Sequence, residues 1–243
     1  MTNAIASEWL KIRTIRSTLW ALLAAAALTV GVGVLASSGT VPGTPVDVVV
    51  SDNLAGIILG QLAICVFGAL AATSEYATGM IRTSLSVLPV RGRMMAAKAI
   101  VVTAVGLVAG MVISFLSYGA GQAVSQAPAG LGEPGVLRAV LGGGLYLGML
   151  GLFVFGIGMI VRHSAAAITT AIGAIMILPI ATYALGENGV TFRKWWPSQA
   201  GQSIMQVSAQ QGSLSPWVGY GVFAVGTAAV LTAAWLFFSR RDA

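Results

Sequence analysis

Apolar residues run along this chain in six long blocks, at about 17–38, 53–73, 97–120, 138–161, 164–185 and 217–239. A helix crosses a hydrocarbon layer with about 20 predominantly apolar residues, and each block is long enough. None contains an acidic residue, and the basic residues Lys98 and Arg138 stand near block ends. The blocks are continuous rather than alternating, which excludes a membrane barrel. The pattern predicts an all-α integral membrane protein, with six transmembrane helices in a single transmembrane domain over residues 1–243.

Two polar intervals carry a pattern of their own. In residues 3–16, Ile5, Trp9 and Ile12 fall on one helical face, while Glu8, Lys11 and Arg13 lie elsewhere around it. This spacing predicts a short interfacial helix anchored by Trp9. Between the second and third blocks, Ala77, Ile81, Leu85 and Leu88 form an apolar stripe opposite Glu75, Thr78, Arg82 and Ser86. A second amphipathic helix is predicted there. Ser74 is placed to cap it, Glu75 suits the positive end of its dipole, and Pro89 stops it. The piece 39–52, GTVPGTPVDVVVSD, and the piece 121–137, containing APAGLGEPG, read as Pro/Gly turn regions. The longest remaining interval, 186–216, carries Trp195 and Trp196 beside Arg193 and Lys194 and reads as chain at headgroup level, with Ser198 capping a short helix that contains Ile204 and Val207. The two residues at 162–163 leave room only for a tight hairpin, capped by the polar side chain of His163.

Composition supports lipid as the main solvent. Apolar residues make up 57% and charged residues 8% of the chain, against about 25% charged in an average soluble domain. Mean hydropathy is +0.89. The net charge of +6 comes from short clusters between apolar blocks, which fits membrane orientation and not nucleic-acid binding. With the N-terminus cytoplasmic, the inner face collects Lys11, Arg13, Arg16, Arg82, Arg91, Arg93, Lys98, Arg162, Arg240 and Arg241, and the outer face only Arg138, Arg193 and Lys194. That bias predicts both termini in the cytoplasm and the first block as a retained helix rather than a cleaved signal. The 31 glycines include Gly-xxx-Gly spacings at Gly56/Gly60, Gly106/Gly110 and Gly144/Gly148. Some arise by chance in so Gly-rich a chain, and the cluster of Gly142, Gly143, Gly144 and Gly148 is the one read as a helix-packing face.

Catalytic chemistry has little to work with. The lysines, Lys11, Lys98 and Lys194, follow Leu, Ala and Arg, so none sits in a G-x-x-x-x-G-K-[ST] phosphate loop. With one cysteine, Cys65, and one histidine, His163, neither a disulfide nor a Cys/His metal site is expected. No ionisable residue lies in the middle of a block, which argues against an ion-coupled carrier and an intramembrane protease. No enzymatic activity and no cofactor on this chain are expected.

The order of these features resembles the permease subunits of type 2 ABC transporters, and is most similar to the compact forms found in actinobacteria. Glu8-Trp9-Leu10-Lys11-Ile12-Arg13 resembles the family's connecting helix. Glu75 and Gly79 resemble its Glu-x-x-x-Gly coupling-helix motif, and Pro197–Gly201 (PSQAG) and the closing SRRDA resemble further recurring features. The resemblance spans essentially the whole chain. It implies an exporter permease in the cell membrane, paired with itself or a related permease. It also implies a separate ABC ATPase subunit that carries ATP and Mg and docks on the helix after the second span. Ser74, Glu75, Thr78, Gly79 and Arg82 are then the coupling residues, and Trp9, Lys11 and Arg13 belong to the interfacial helix. Glu75 is expected to make a charge-assisted contact to the ATPase or to basic residues of the N-terminal helix. The short 186–216 interval makes elaborate external recognition unexpected. The competing reading is a membrane-anchored regulatory or immunity protein that binds a partner through the same helix and moves nothing.

Overall fold

The computed structural model describes residues 2–77, 79, 91–208 and 212–240. It is 85% helical, with no strand among the described residues. Among the described residues, six helices are long and apolar enough to cross a membrane: Arg16–Ser37, Val46–Tyr76, Gly92–Val124, Val136–Val161, Ser164–Ala184 and Pro216–Arg240. They are called spans one to six below. An even number of crossings puts both termini on one face of the bundle.

Span four is the hub. It packs against spans two, three and six, and 72% of its most apolar window is buried inside the protein. Glycine allows that central position by letting backbones touch. A Cβ at Gly110 would lie 2.6 Å from the Gly144 carbonyl oxygen, one at Gly68 would lie 2.5 Å from that of Gly151, and one at Gly156 would meet Val230 at 2.8 Å. Gly142 faces the Ile204 carbonyl, Gly144 faces Met111, and Gly148 faces Leu107. The Gly56/Gly60 and Gly106/Gly110 pairs, which the sequence left to chance, also lie in close contacts, against Thr29 of span one and against span four respectively. Hydroxyls tie the same interfaces. Ser114 donates to the Val140 carbonyl at 2.6 Å, and Ser117 donates to the Asn53 carbonyl at 2.6 Å.

Several expectations change. The 39–52 piece is not simply a turn: Val46–Leu54 is helical, with Pro45 ahead of it accepting from the Val48 and Val49 amides. Its three consecutive valines disfavour helix in isolation, but Val49, Val50 and Asn53 are buried against the bundle, and that packing decides. The turn Ala55–Gly56 then leads into Ile57–Ala77. The third helix runs Arg91–Val124, 34 residues, or about 51 Å at 1.5 Å per residue. It therefore protrudes beyond a hydrocarbon layer of about 30 Å. In the 186–216 interval, helices Gly186–Trp195 and Pro197–Gln202 are followed by a 3-10 turn, Ser203–Met205. Trp196 holds the cap position and Pro197 the first helical one, where its missing N–H costs nothing. Ser198 is thus inside the helix and not its cap. Ile204 lies in the 3-10 turn and Val207 beyond it.

Span five is irregular in its second half. A π segment, Gly173–Ile177, precedes Pro179, and a 3-10 turn, Thr182–Leu185, ends it. The Trp196 indole donates to the Ala174 carbonyl at 2.8 Å, tying the π segment to the following hairpin. At the short turn between spans four and five, Arg162 adopts φ 60 and the His163 ring accepts from the Ala166 amide at 3.4 Å, capping span five.

Candidate functional site

The N-terminal helix, Thr2–Thr14, ends at an extended Ile15 and lies against the bundle on the face that carries the termini. It turns Glu8 and Lys11 inward, whereas Trp9, Leu10 and Arg13 are exposed. Opposite it, Ile57–Ala77 runs past the end predicted for span two and carries Glu75 on its last turn. Lys98 lies two turns inside the third helix, where a longer helix has drawn it below the surface.

These four side chains form one closed ring. Lys11 Nζ is 2.6 Å from Glu8 Oε1 and 2.5 Å from Glu75 Oε1. Lys98 Nζ is 2.8 Å from Glu8 Oε2 and 2.9 Å from Glu75 Oε1. Every lysine touches both glutamates, and the formal charges sum to zero. The side chains of Lys98 and Glu75 are each only 5% exposed and that of Glu8 8%, while Lys11 reaches the surface at 30%. Burial alone pushes the Lys11 ammonium towards its neutral form. The two carboxylates outweigh that and hold its pKa above the ordinary lysine value. A raised lysine pKa keeps Lys11 charged throughout the neutral range.

Geometry makes this ring a three-way clasp between the N-terminal helix, the end of span two and the start of span three. A cavity of about 290 Å³ lies beside it, walled by Ile12, Ile15, Leu70 and Val101 and reaching Glu8 and Lys98. Tyr76, next to Glu75, also carries the Arg162 guanidinium over its ring at 5.5 Å, so the hairpin between spans four and five reaches the same corner.

The residues expected to act together are therefore only partly gathered. Glu75 and Lys11 meet directly. Ser74 is not a helix cap: the helix passes through it to Ala77, because the residues before it continue the span without a break. Gly79 is exposed with φ 70, and its amide bonds to the Tyr76 carbonyl at 3.3 Å, which is the left-handed glycine that ends a helix. The amphipathic helix predicted from Ser74 to Leu88 thus has its first turn inside span two. Thr78, Arg82 and Pro89 lie outside the described residues. Trp9 and Arg13 point away from the ring. Glu8 and Lys98 were not among the predicted coupling residues. The available signal was the sign of the charge: Glu8 and Glu75 are, with Asp242 at the C-terminus, the acids on a predominantly basic face, and acids buried there need lysine partners.

Residues 4–180 match the model of a protein family described as ABC-2 family transporter protein. No curated protein matches the chain.

Proposed function

The chain belongs to the ABC-2 family of transporter proteins and is a multi-pass membrane permease component, and we propose that it is the permease of an ATP-driven exporter whose ATPase is a separate subunit. In this reading both termini face the cytoplasm of a cell membrane, and two permeases, identical or related, enclose the translocation path. The ATPase docks on the segment between Ala77 and Arg91, and the ATP and Mg are its own.

One observation carries the reading. The chain bridging spans two and three is anchored at both ends in the same ring, through Glu75 before it and Lys98 after it. The third anchor is the N-terminal helix, through Glu8 and Lys11. A push on that bridging segment is therefore delivered to spans one, two and three together, since span one follows the N-terminal helix directly. Net neutrality lets such a unit move at the membrane edge without dragging an uncompensated charge into lipid.

The test is co-expression with an ABC ATPase encoded beside it and purification through a tag on the permease. The expected result is a stable complex whose ATP hydrolysis depends on the permease and falls at least tenfold with Glu75→Ala. A complex that forms and hydrolyses ATP equally well with Glu75→Ala removes the coupling role of the ring.

A further inference from the structure

On the face opposite the termini, a second cavity of about 390 Å³ opens between the helix Val46–Leu54, the start of span two and the segment 202–208. Its side walls are apolar, from Leu54, Ile57 and Met205 among others. Its polar lining residues are Asp47, Ser51, Gln61, Gln202, Gln206 and Ser208, and two of them, Gln61 and Gln202, belong to one fixed array. Gln61, 2% exposed, accepts a hydrogen bond from the Tyr146 hydroxyl at 2.7 Å and donates one N–H to the Ile58 carbonyl at 3.1 Å. Gln202 donates to the same Tyr146 hydroxyl at 3.3 Å. Tyr146 is completely buried and holds both amides in place from behind. An amide side chain has two N–H donors and an acceptor oxygen. Among the described residues, Gln61 keeps one N–H free, and Gln202 keeps one N–H and its oxygen.

The charge at this cavity has one sign. Asp47 is the ionised side chain that lines it, exposed at its rim. Arg138 does not line the cavity; its guanidinium donates to the carbonyls of two lining residues, Gln206 and Val207, at 2.9 and 2.8 Å. Asp52, one helical turn and a half from Asp47, does not line the cavity.

We propose that this cavity is a binding site for an amphiphilic monocation that carries hydrogen-bonding amide or amine groups. The apolar walls take its hydrocarbon part, the Gln61–Tyr146–Gln202 array takes its polar linker, and Asp47 takes its positive charge. Two features single out this ligand class. Polar side chains fixed inside a membrane bundle with unused donors and acceptors mark a ligand path more often than a packing defect. And a lone carboxylate on a cavity of mixed apolar and uncharged polar lining selects a cation over an anion of the same shape. The proposal extends the permease reading by naming a cargo class, but binding needs neither the ATPase nor ATP.

Three dansyl probes of one shape and different charge test it: dansylcadaverine, its neutral N-acetyl derivative, and the anionic dansyl-6-aminohexanoate. Each is titrated by fluorescence against the full chain in phosphatidylcholine nanodiscs, with empty nanodiscs subtracted. The cation is expected to bind saturably and about tenfold or more tighter than the anion. Asp47→Asn should shrink that preference to below about threefold, and Asp52→Asn should leave it intact. Gln61→Leu should weaken all three probes together, about tenfold, because the linker loses its amide partner. Asp47 is exposed, so its variant tests the idea even if Gln61→Leu does not fold. Equal affinity for the three probes, or a cation preference that survives Asp47→Asn or disappears with Asp52→Asn, overturns the proposal. Loss of ATPase co-purification would instead count against the coupling reading and leave this one standing.

Discussion

Replacing Glu75 by Gln keeps the shape of the ring and removes one of its two negative charges. The gross attraction can be scaled from the structure. At 2.9 Å, the Lys98–Glu75 pair is worth about 6 kcal/mol at an effective dielectric constant near 20. Desolvating each ion costs several kcal/mol, so the intact pair is nearly neutral in net stability. Losing one member is different, because Lys98, 5% exposed, stays buried with a single carboxylate shared with Lys11. Breaking a buried pair this way costs about 3–5 kcal/mol. Lys11 can turn outward, so the low end, about 3 kcal/mol, is expected.

A double-mutant cycle separates this from simple loss of packing. Unfolding in mixed micelles of rising SDS content gives the stability of the wild type, Glu75→Gln, Lys98→Met and the double variant. The double variant should be less damaged than the sum of the singles, with a coupling of at least about 1 kcal/mol, since each single leaves an uncompensated charge and the double leaves none. Raising NaCl to 0.5 M should barely change the result, because buried pairs are weakly screened. Additive single effects, within about 0.5 kcal/mol, would show that the four side chains do not act as a unit, and the clasp would fall with them.

Other consequences are quickly stated. The Lys11 pKa is raised, so its contribution is fully present below the unfolded value of about 10.4 and is lost only as pH climbs through the higher folded value. The stability gap between wild type and Lys11→Met should be flat from about pH 6 to 9 and close above about pH 10.5. Gly79 has φ 70 with nothing near its missing Cβ, so Gly79→Ala should cost about 1–2 kcal/mol from backbone strain alone, and Gly79→Asn less, by the same SDS unfolding. Gly110→Val drives a side chain onto the Gly144 carbonyl and should cost about 3 kcal/mol. Gly119→Val, in the same helix with open space around it, should be within about 0.5 kcal/mol of wild type.

What was legible in the sequence follows from what each signal depends on. Six spans could be read because bilayer thickness sets a length that composition must meet, and every block met it. Ends were harder. The third helix extends to Val124 and back to Arg91 with Gly92 packed on Trp235 and Gly121 on Asn53 and Ser37, tertiary contacts that no local propensity reports. Val46–Leu54 is helical through tertiary burial of Val49, Val50 and Asn53, which no local propensity reports. Ser74 looked like a cap because a hydroxyl followed by an acid is the local signature of a helix start, yet the preceding Ala71–Thr73 already belongs to the helix. Gly79 was singled out as part of a coupling motif, and its left-handed backbone gives a separate, conformational reason for glycine there. Glu8 and Lys98 became site residues only through the fold, since 90 positions separate them along the chain.

Stability does not explain why such a ring exists. A buried ion cluster is commonly no better than apolar side chains of the same volume, which would also be easier to place at a membrane edge. What charges supply, and hydrocarbon does not, is a unique register: Lys98 fits two carboxylates from two different helices, and a shift of either helix by one residue breaks that helix's contact to it. Here that register fixes the N-terminal helix against the two ends of the bridging segment, while Trp9 and Leu10 remain on its exposed side. Packing fixes the rest of the bundle differently, through glycine contacts along the length of span four. A permease that must transmit a push needs its receiving corner to move as one body and the rest to repack. Directional bonds suit the first task and close-packed small residues the second.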